Sequence, residues 1–80
     1  MHSVINREGR DALYQQIAAD LRDGITGGKY APGARLPSET DLMNTHGVAR
    51  LTARRARRVL RDEGLVEIIP GRGAFVAAAA

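Results

Sequence analysis

The chain has no cysteine and no tryptophan, and it holds only two tyrosines, one phenylalanine and two histidines. The absence of cysteine excludes a disulfide framework and a thiolate metal site, and two histidines are too few for a histidine-rich metal site. So few aromatic rings also argue against a stacking platform for single-stranded nucleic acid. We therefore expect no metal, and stability that comes from packing alone.

Long apolar runs are missing as well. No run approaches the roughly 18 residues that a membrane span needs, and the start of the chain has no apolar segment of a signal peptide. No nucleophile stands beside a base, and no carboxylate pair is recognisable. These absences predict a cytoplasmic protein of 80 residues that forms one small domain, binds no cofactor and is not an enzyme.

Arginine is abundant, and it is concentrated in one segment. Residues 50–61 contain six arginines, which is half of the 12 Lys+Arg in a chain of formal net charge +3. On a helix, five of these arginines share one arc: Arg50, Arg54, Arg57, Arg58 and Arg61. The opposite side collects Thr52, Ala53, Ala56, Val59 and Leu60. The pattern predicts a helix with a buried apolar side and an outward basic side.

A basic helix face has several possible uses. Arginine offers a permanent charge and a flat fork of donors that suits phosphate oxygens and the edge of guanine, so nucleic acid is the first partner to consider. The face could also be simply solvated. Binding to an anionic membrane requires bulky apolar residues opposite the charge, and alanine and threonine suit it poorly. Arg55 lies off the arc and is expected to be solvated or paired with an acid.

Two further helices are predicted before this segment. From Asp11, a plausible cap, aliphatic residues recur every four positions (Leu13, Ile17, Leu21, Ile25) until Gly27-Gly28, as in a core helix. Pro32-Gly33 then predicts a tight turn. Ser38, with Asp41 three residues later, predicts the start of a second helix over residues 39–46, which Gly47 ends and whose last turn His46 fills. Residues 1–10 read as an arm, and residues 77–80 as a linker or cut end.

A short helix, a glycine-containing connection and a second helix form the helix-turn-helix arrangement, whose second helix enters the DNA major groove. The first residues of that helix reach the bases, so base-edge contacts are expected from Arg50, Leu51, Thr52 and Arg54. Arg57, Arg58 and Arg61 would approach the sugar-phosphate backbone instead.

A β-hairpin is predicted after the basic helix. Residues 65–69 and 74–76 favour strands, and Pro70-Gly71-Arg72-Gly73 interrupts them. The turn could be an ordinary one with a solvated arginine. It could also be a wing that places the Arg72 guanidinium in a narrow minor groove, with Gly71 and Gly73 permitting close approach.

From Leu13 to Val76 the sequence resembles the N-terminal DNA-binding domain of the GntR family of bacterial transcription regulators. Five landmarks carry the resemblance: residues 13–18, residues 32–39, Gly47-Val48 with the arginine-rich helix, residues 63–66, and residues 70–76. The resemblance implies an α+β, mainly α, winged helix-turn-helix of three helices and a C-terminal hairpin over residues 11–76. It also implies a dimeric repressor of inverted-repeat operators, with a separate domain that senses a small molecule.

Position by position, the resemblance implies operator contacts from Arg50, Thr52 and Arg54 and phosphate contacts near Ser38 and Thr40. It implies a minor-groove contact from Gly71 with Arg72. Arg35 and Gly73 lie within the matched segments and are expected to belong to the same DNA-binding site. The sequence departs from the family pattern at three positions: Thr40 replaces a usual basic residue, Ala49 a usual cap, and Leu51 a usual small polar residue.

No effector domain follows Val76, so we expect either a fragment or a truncated protein, monomeric by itself. Double-stranded DNA at the nucleoid is the expected partner, and no membrane. The alternative is a winged-helix module whose arginines dock an acidic protein. Structured RNA is a further candidate, although its narrow A-form major groove does not admit a helix.

Overall fold

The computed structural model describes residues 9–78 of the 80-residue chain. Three helices come first, and a two-stranded antiparallel hairpin follows them. The helices are α1 (Gly9–Thr26), α2 (Glu39–His46) and α3 (Arg50–Asp62), and the strands are β1 (Val66–Ile69) and β2 (Gly73–Val76). The predicted α+β, mainly helical, winged helix-turn-helix is confirmed.

The first helix differs from its prediction at two points. α1 begins at Gly9, so the expected cap, Asp11, lies inside the helix, and the expected arm overlaps it at residues 9–10. The remainder of that arm, residues 1–8, lies outside the described residues. Leu13 is 39% exposed and does not join the buried stripe, because the neighbouring Tyr14 packs against the core instead. None of the helices within residues 9–78 is long and apolar enough to cross a membrane.

The connection between α2 and α3 is set by local backbone chemistry. The Ser38 hydroxyl accepts a hydrogen bond from the Asp41 N–H at 2.9 Å, and the Asp41 carboxylate accepts one from the Ser38 N–H at 3.2 Å. This reciprocal cap starts α2 at Glu39, as predicted. Gly47 ends the helix with φ +67°, a left-handed conformation that glycine adopts without strain.

The core lies between α1 and α3, and these two helices share the largest contact between elements. On α3, Ala53, Ala56 and Leu60 are completely buried, and on α1 Ile17 and Leu21 are almost completely buried. Small side chains on α3 allow the two helices to pack closely, which sets the position of α3 on α1. The position of this helix matters because its other side carries the candidate site.

A segment that the sequence did not predict as extended structure pairs with the hairpin. In the hairpin, Val66 pairs with Val76 and Ile69 with Gly73. Residues 33–36, expected only to turn, pair along the free edge of β2. The Leu36 N–H donates to the Ala74 carbonyl and the Val76 N–H to the Ala34 carbonyl, both at 2.8 Å. The loop before α2 is therefore fixed to the hairpin.

Candidate nucleic-acid interface

The N-terminal half of α3 presents a polar and charged surface with one large apolar side chain. Arg50 and Arg54 are exposed, and Leu51 between them is 62% exposed, the highest value among the large exposed apolar residues. Thr52 is half-buried at the edge of this surface. An isolated apolar side chain among exposed arginines is suited to contact a thymine methyl group in a major groove. All four expected base-contact residues thus lie on or beside one surface.

Glu39, the first residue of α2, binds both Arg50 and Arg54. Arg54 binds its carboxylate through two hydrogen bonds, Nε to Oε2 at 2.9 Å and Nη2 to Oε1 at 3.2 Å. Arg50 adds a third, from Nη1 to Oε1 at 3.2 Å. The hydrogen bond from Arg54 is the main reason that the pKa of Glu39 is lowered. The two parallel bonds from Arg54 define its direction more closely than the single bond defines that of Arg50.

Arg57 contradicts the prediction that it faces outward with the other arginines. Its side chain is buried, with 7% of the residue exposed. At 3.6 residues per turn, Arg57 lies only about 40° around the helix from buried Ala53, at the border of the basic arc. Burial is the main reason that the pKa of Arg57 is lowered. A buried guanidinium cannot reach a phosphate without first leaving the core.

The remaining arginines of α3 have different surroundings. Arg58 is exposed. Arg61 pairs with the adjacent carboxylate of Asp62 at 3.0 Å. Arg55 places its guanidinium 4.2 Å from the centre of the Tyr14 ring, a cation–π contact that fastens α3 to α1 and that was not predicted. Of the three arginines expected near the DNA backbone, only Arg58 is both exposed and away from a paired carboxylate in the described contacts.

The start of α2 offers a second polar surface. Thr40 is exposed and Ser38 is half-buried, with its hydroxyl already engaged in the cap. The first N–H groups of a helix have no partner within the helix, and they carry the positive end of its dipole. Both residues therefore lie beside the N–H groups of this helix end, together with the carboxylates of Glu39 and Asp41.

The hairpin tip forms a tight turn that exposes Arg72. The Arg72 N–H donates to the Ile69 carbonyl at 2.9 Å, and Gly71 takes φ +77° after Pro70, the residue pattern of a type II turn. Gly73 has φ +124°, and a Cβ built there would lie 3.0 Å from Arg35 Nε. Gly73 thus makes room for the Arg35 guanidinium, which the structure brings to the base of the wing.

The contacts of Glu39 with Arg50 and Arg54 were not predicted from the sequence. Its pairs with Arg50 and Arg54 span 11 and 15 residues, so no local periodicity reveals them. The available signal was only that Glu39 begins a short helix facing an arginine-rich one across a brief glycine turn. The burial of Arg57 had a weak signal as well, its position at the border between basic and apolar arcs.

Comparison with known proteins assigns the chain to a family. Residues 13–76 match the model for bacterial regulatory proteins of the gntR family. The mannosyl-D-glycerate transport/metabolism system repressor MngR of Escherichia coli is 41% identical over 68 residues, which are 85% of this chain and 28% of MngR. The HTH-type transcriptional repressor NagR of Bacillus subtilis is 38% identical over 72 residues, 90% of this chain and 30% of NagR. The chain therefore spans less than a third of the length of these relatives.

A solved structure has the same fold as this chain. The DNA-binding domain of AraR, crystallised in complex with its operator ORR3, superposes with a TM-score of 0.79 at 37% identity, over 81% of this chain and 78% of the AraR chain. The matched fold agrees with the three helices and hairpin described above. This chain belongs to the gntR family of bacterial regulatory proteins.

Proposed function

We propose that the chain is the operator-recognition domain of a transcriptional repressor, with α3 in the major groove and the β1–β2 wing at the minor groove. Sequence-specific binding to duplex DNA is its activity, and it acts by binding without catalysis. The observation that carries the proposal is the exposed first half of α3, with Arg50 and Arg54 held by one carboxylate around exposed Leu51. The proposed base contacts are Arg50, Leu51, Thr52 and Arg54.

Preorganisation explains how this surface would bind without ordering a loop. The packing of α3 on α1 fixes the helix axis, and Glu39 fixes two guanidiniums on its surface. Side chains that are already restricted lose less conformational entropy on binding. A B-form major groove admits an α-helix, so α3 would carry Arg50 and Arg54 to the base edges.

Affinity would come mainly from the DNA backbone. We assign phosphate contacts to Arg58 and to the start of α2 at Ser38 and Thr40, whereas the buried Arg57 is removed from this set. Arg72, between Gly71 and Gly73 at the wing tip, is assigned to the minor groove. Arg35 at the base of the wing belongs to the same basic surface.

The assembly of the whole protein is also proposed. The relatives are much longer than this chain, so we propose that the domain works beside a separate domain that senses a small molecule and joins two copies. Paired copies would read an inverted repeat whose halves lie about one helical turn, ~10 bp, apart, while the domain alone stays monomeric on a half-site. Its place of action is the nucleoid, in the cytoplasm, where operators lie.

Selection from a random duplex library tests the proposal. The selected duplex and a scrambled version are then titrated with the 80-residue chain at two salt concentrations. With about four phosphates engaged, log K against log salt should fall with a slope of about −4, and the selected duplex should bind tighter at both concentrations. Failure of the library to converge on a sequence would refute operator recognition.

Control titrations address the alternatives. Duplex RNA of the same sequence should bind more weakly, because its deep, narrow major groove excludes the helix. Docking of an acidic protein, the alternative function, is less favoured because similar domains such as that of AraR are found on operators. It would be revived if an acidic protein bound more tightly than the selected duplex at the same salt concentration.

A further inference from the structure

Arg57 occupies an unusual position for a charged side chain. It is 7% exposed, and its neighbours on the same side of α3, Ala53, Ala56 and Leu60, have no exposure at all. Taking a guanidinium out of water is costly unless close, well-aligned partners replace the lost hydration. An aliphatic side chain would be sufficient for packing at this position. The presence of an arginine therefore requires a further explanation.

The partners of Arg57 are incomplete. Its Nη1 lies 3.9 Å from Glu39 Oε2, longer than a hydrogen bond, and its Nε has no hydrogen-bond partner within residues 9–78. Arg35 and Arg54 are near enough for their positive charges to act unfavourably on it. Arg57 is thus a buried cation held beside a carboxylate that it does not fully engage.

The acceptor positions of Glu39 are correspondingly almost filled. Its two oxygens accept three close hydrogen bonds from Arg50 and Arg54, and Arg57 approaches from beneath. A carboxylate has about four lone-pair positions, so little capacity is left while both recognition arginines stay bound. The same two arginines are the ones assigned to the bases.

We propose that Arg57 is a positioning residue that takes over the Glu39 carboxylate when DNA draws Arg50 and Arg54 away from it. The inference rests on the proposed function, since it concerns the release of the recognition arginines to the operator. Arg57 need move only about 1 Å to turn its 3.9 Å contact into a hydrogen bond. Without Arg57, the Glu39 carboxylate that Arg50 and Arg54 have left would lie unpaired beside the negatively charged DNA.

The exchange is favourable for both the Glu39 carboxylate and the Arg57 guanidinium. A carboxylate that keeps a cationic partner does not compete as strongly to recapture Arg50 and Arg54. Arg57 in turn gains the close partner that it lacks in the free domain, so its burial becomes less unfavourable on the operator. A purely structural Arg57 would give neither effect.

Replacement of Arg57 by leucine tests the exchange. Exchange of a buried cation for an apolar side chain is often neutral or stabilising, so thermal unfolding of Arg57→Leu should occur at or above the wild-type temperature. Affinity for the selected duplex should nevertheless fall about ten-fold. The salt slope should stay unchanged, because Arg57 neutralises no phosphate. Arg57→Lys, which keeps the charge, should recover most of the loss and guards against a misfolded leucine variant.

Two comparisons separate the exchange from a general charge effect. In a Glu39→Gln background, Arg57→Leu should change affinity by less than about two-fold, because no carboxylate remains to be taken over. The control Arg58→Leu should reduce the salt slope by about 0.9 and weaken binding equally in both backgrounds.

The possible failures are distinguishable. If the unchanged chain selects an operator and Arg57→Leu binds it within about two-fold of wild type, the exchange is refuted while the proposed function stands. A reduced salt slope for Arg57→Leu, or an equal loss in the Glu39→Gln background, would also overturn it. If the unchanged chain selects no sequence at all, the proposed function and the exchange both fall.

Discussion

Arg50 and Arg58 are both exposed on α3, but their surroundings differ. Arg50 lies in the first turn and donates to Glu39 at 3.2 Å, so its direction is defined. Arg58 follows eight residues later, about 12 Å further along the helix axis. A helix whose N-terminus enters a major groove brings its first turn to the bases and its later turns to the backbone. Arginine is therefore expected to contact bases at position 50 and only the DNA backbone at position 58.

Substitution of the two arginines by alanine should reveal this difference. Arg50→Ala should cost about 1–3 kcal/mol on the selected duplex and reduce discrimination against the scrambled one. Arg58→Ala should weaken both duplexes about equally and lower the salt slope by about 0.9. Titrations of both variants against both duplexes give the comparison. Losses from Arg50→Ala that are equal on the two duplexes would contradict a base contact.

At the level of elements, the two helices of the DNA-binding motif begin differently. α2 begins at a reciprocal Ser38–Asp41 cap. α3 begins after Ala49, which has the extended backbone of a capping residue (φ −72°, ψ 158°) but no side chain to accept a hydrogen bond. The first N–H groups of α3 are therefore left to solvent or to a ligand.

A serine at position 49 should supply the missing acceptor. Ala49→Ser should raise the free energy of unfolding by about 1 kcal/mol, because the backbone already has the required conformation. Ser38→Ala, the matched change at α2, should lower it by about 1 kcal/mol. Urea unfolding of the three proteins measures both effects, and a destabilised Ala49→Ser would show that the cap geometry is not usable.

The wing is the second element with its own test. Arg72 is exposed at a turn that Gly71 closes with φ +77°, and it is the one charged residue of the turn over residues 70–73. Arg72→Ala should weaken binding most on duplexes whose flanks have a narrow, A/T-rich minor groove. Lys29→Ala removes the same charge from the exposed loop after α1 and serves as the control. If Arg72→Ala and Lys29→Ala reduce affinity equally for duplexes with A/T-rich and G/C-rich flanks, Arg72 is a solvated turn residue and makes no minor-groove contact.

Across the whole molecule, ion pairs join elements that are distant in sequence. Arg22 of α1 binds Glu63 at the end of α3 through two hydrogen bonds, of 2.9 Å and 2.6 Å. Glu39 joins α2 to α3. The pKa of each glutamate is lowered, chiefly by the hydrogen bond from Arg22 to Glu63 and from Arg54 to Glu39. Because of both ion pairs, the stability of the fold depends on pH in the acid range.

The direction of the pH effect follows from these shifts. A glutamate whose pKa is lower in the folded state stabilises the fold fully above its ordinary value of about 4.5 and loses that effect as pH falls through the folded value. Stability should therefore decrease below about pH 4.5. Glu39→Gln should be less stable than wild type at pH 7, and the difference should shrink in acid. Urea unfolding at pH 7 and pH 3 measures this, and an unchanged difference at the two pH values would contradict the linkage.

Much of the architecture could be predicted because it depends on local chemistry. The Ser38–Asp41 spacing predicted the start of α2, Gly47 its end, and Pro70-Gly71 the turn of the wing, all as observed. The arginine-rich segment predicted a helix with a buried apolar side. These features need only helical periodicity, a capping residue or a glycine at a positive φ, and each can be read within a few residues.

The sequence by itself therefore determined the order of the elements and which helix carries the charge. Only the tertiary structure decided which arginines remain available. Helical periodicity places Arg57 at a border, and tertiary packing determines that it is buried. The sharing of Glu39 and the pairing of residues 33–36 with β2 also depend on contacts between segments far apart in the chain. The physical reason is that side-chain burial and ion pairing follow the angle and distance between packed elements, which no local pattern encodes.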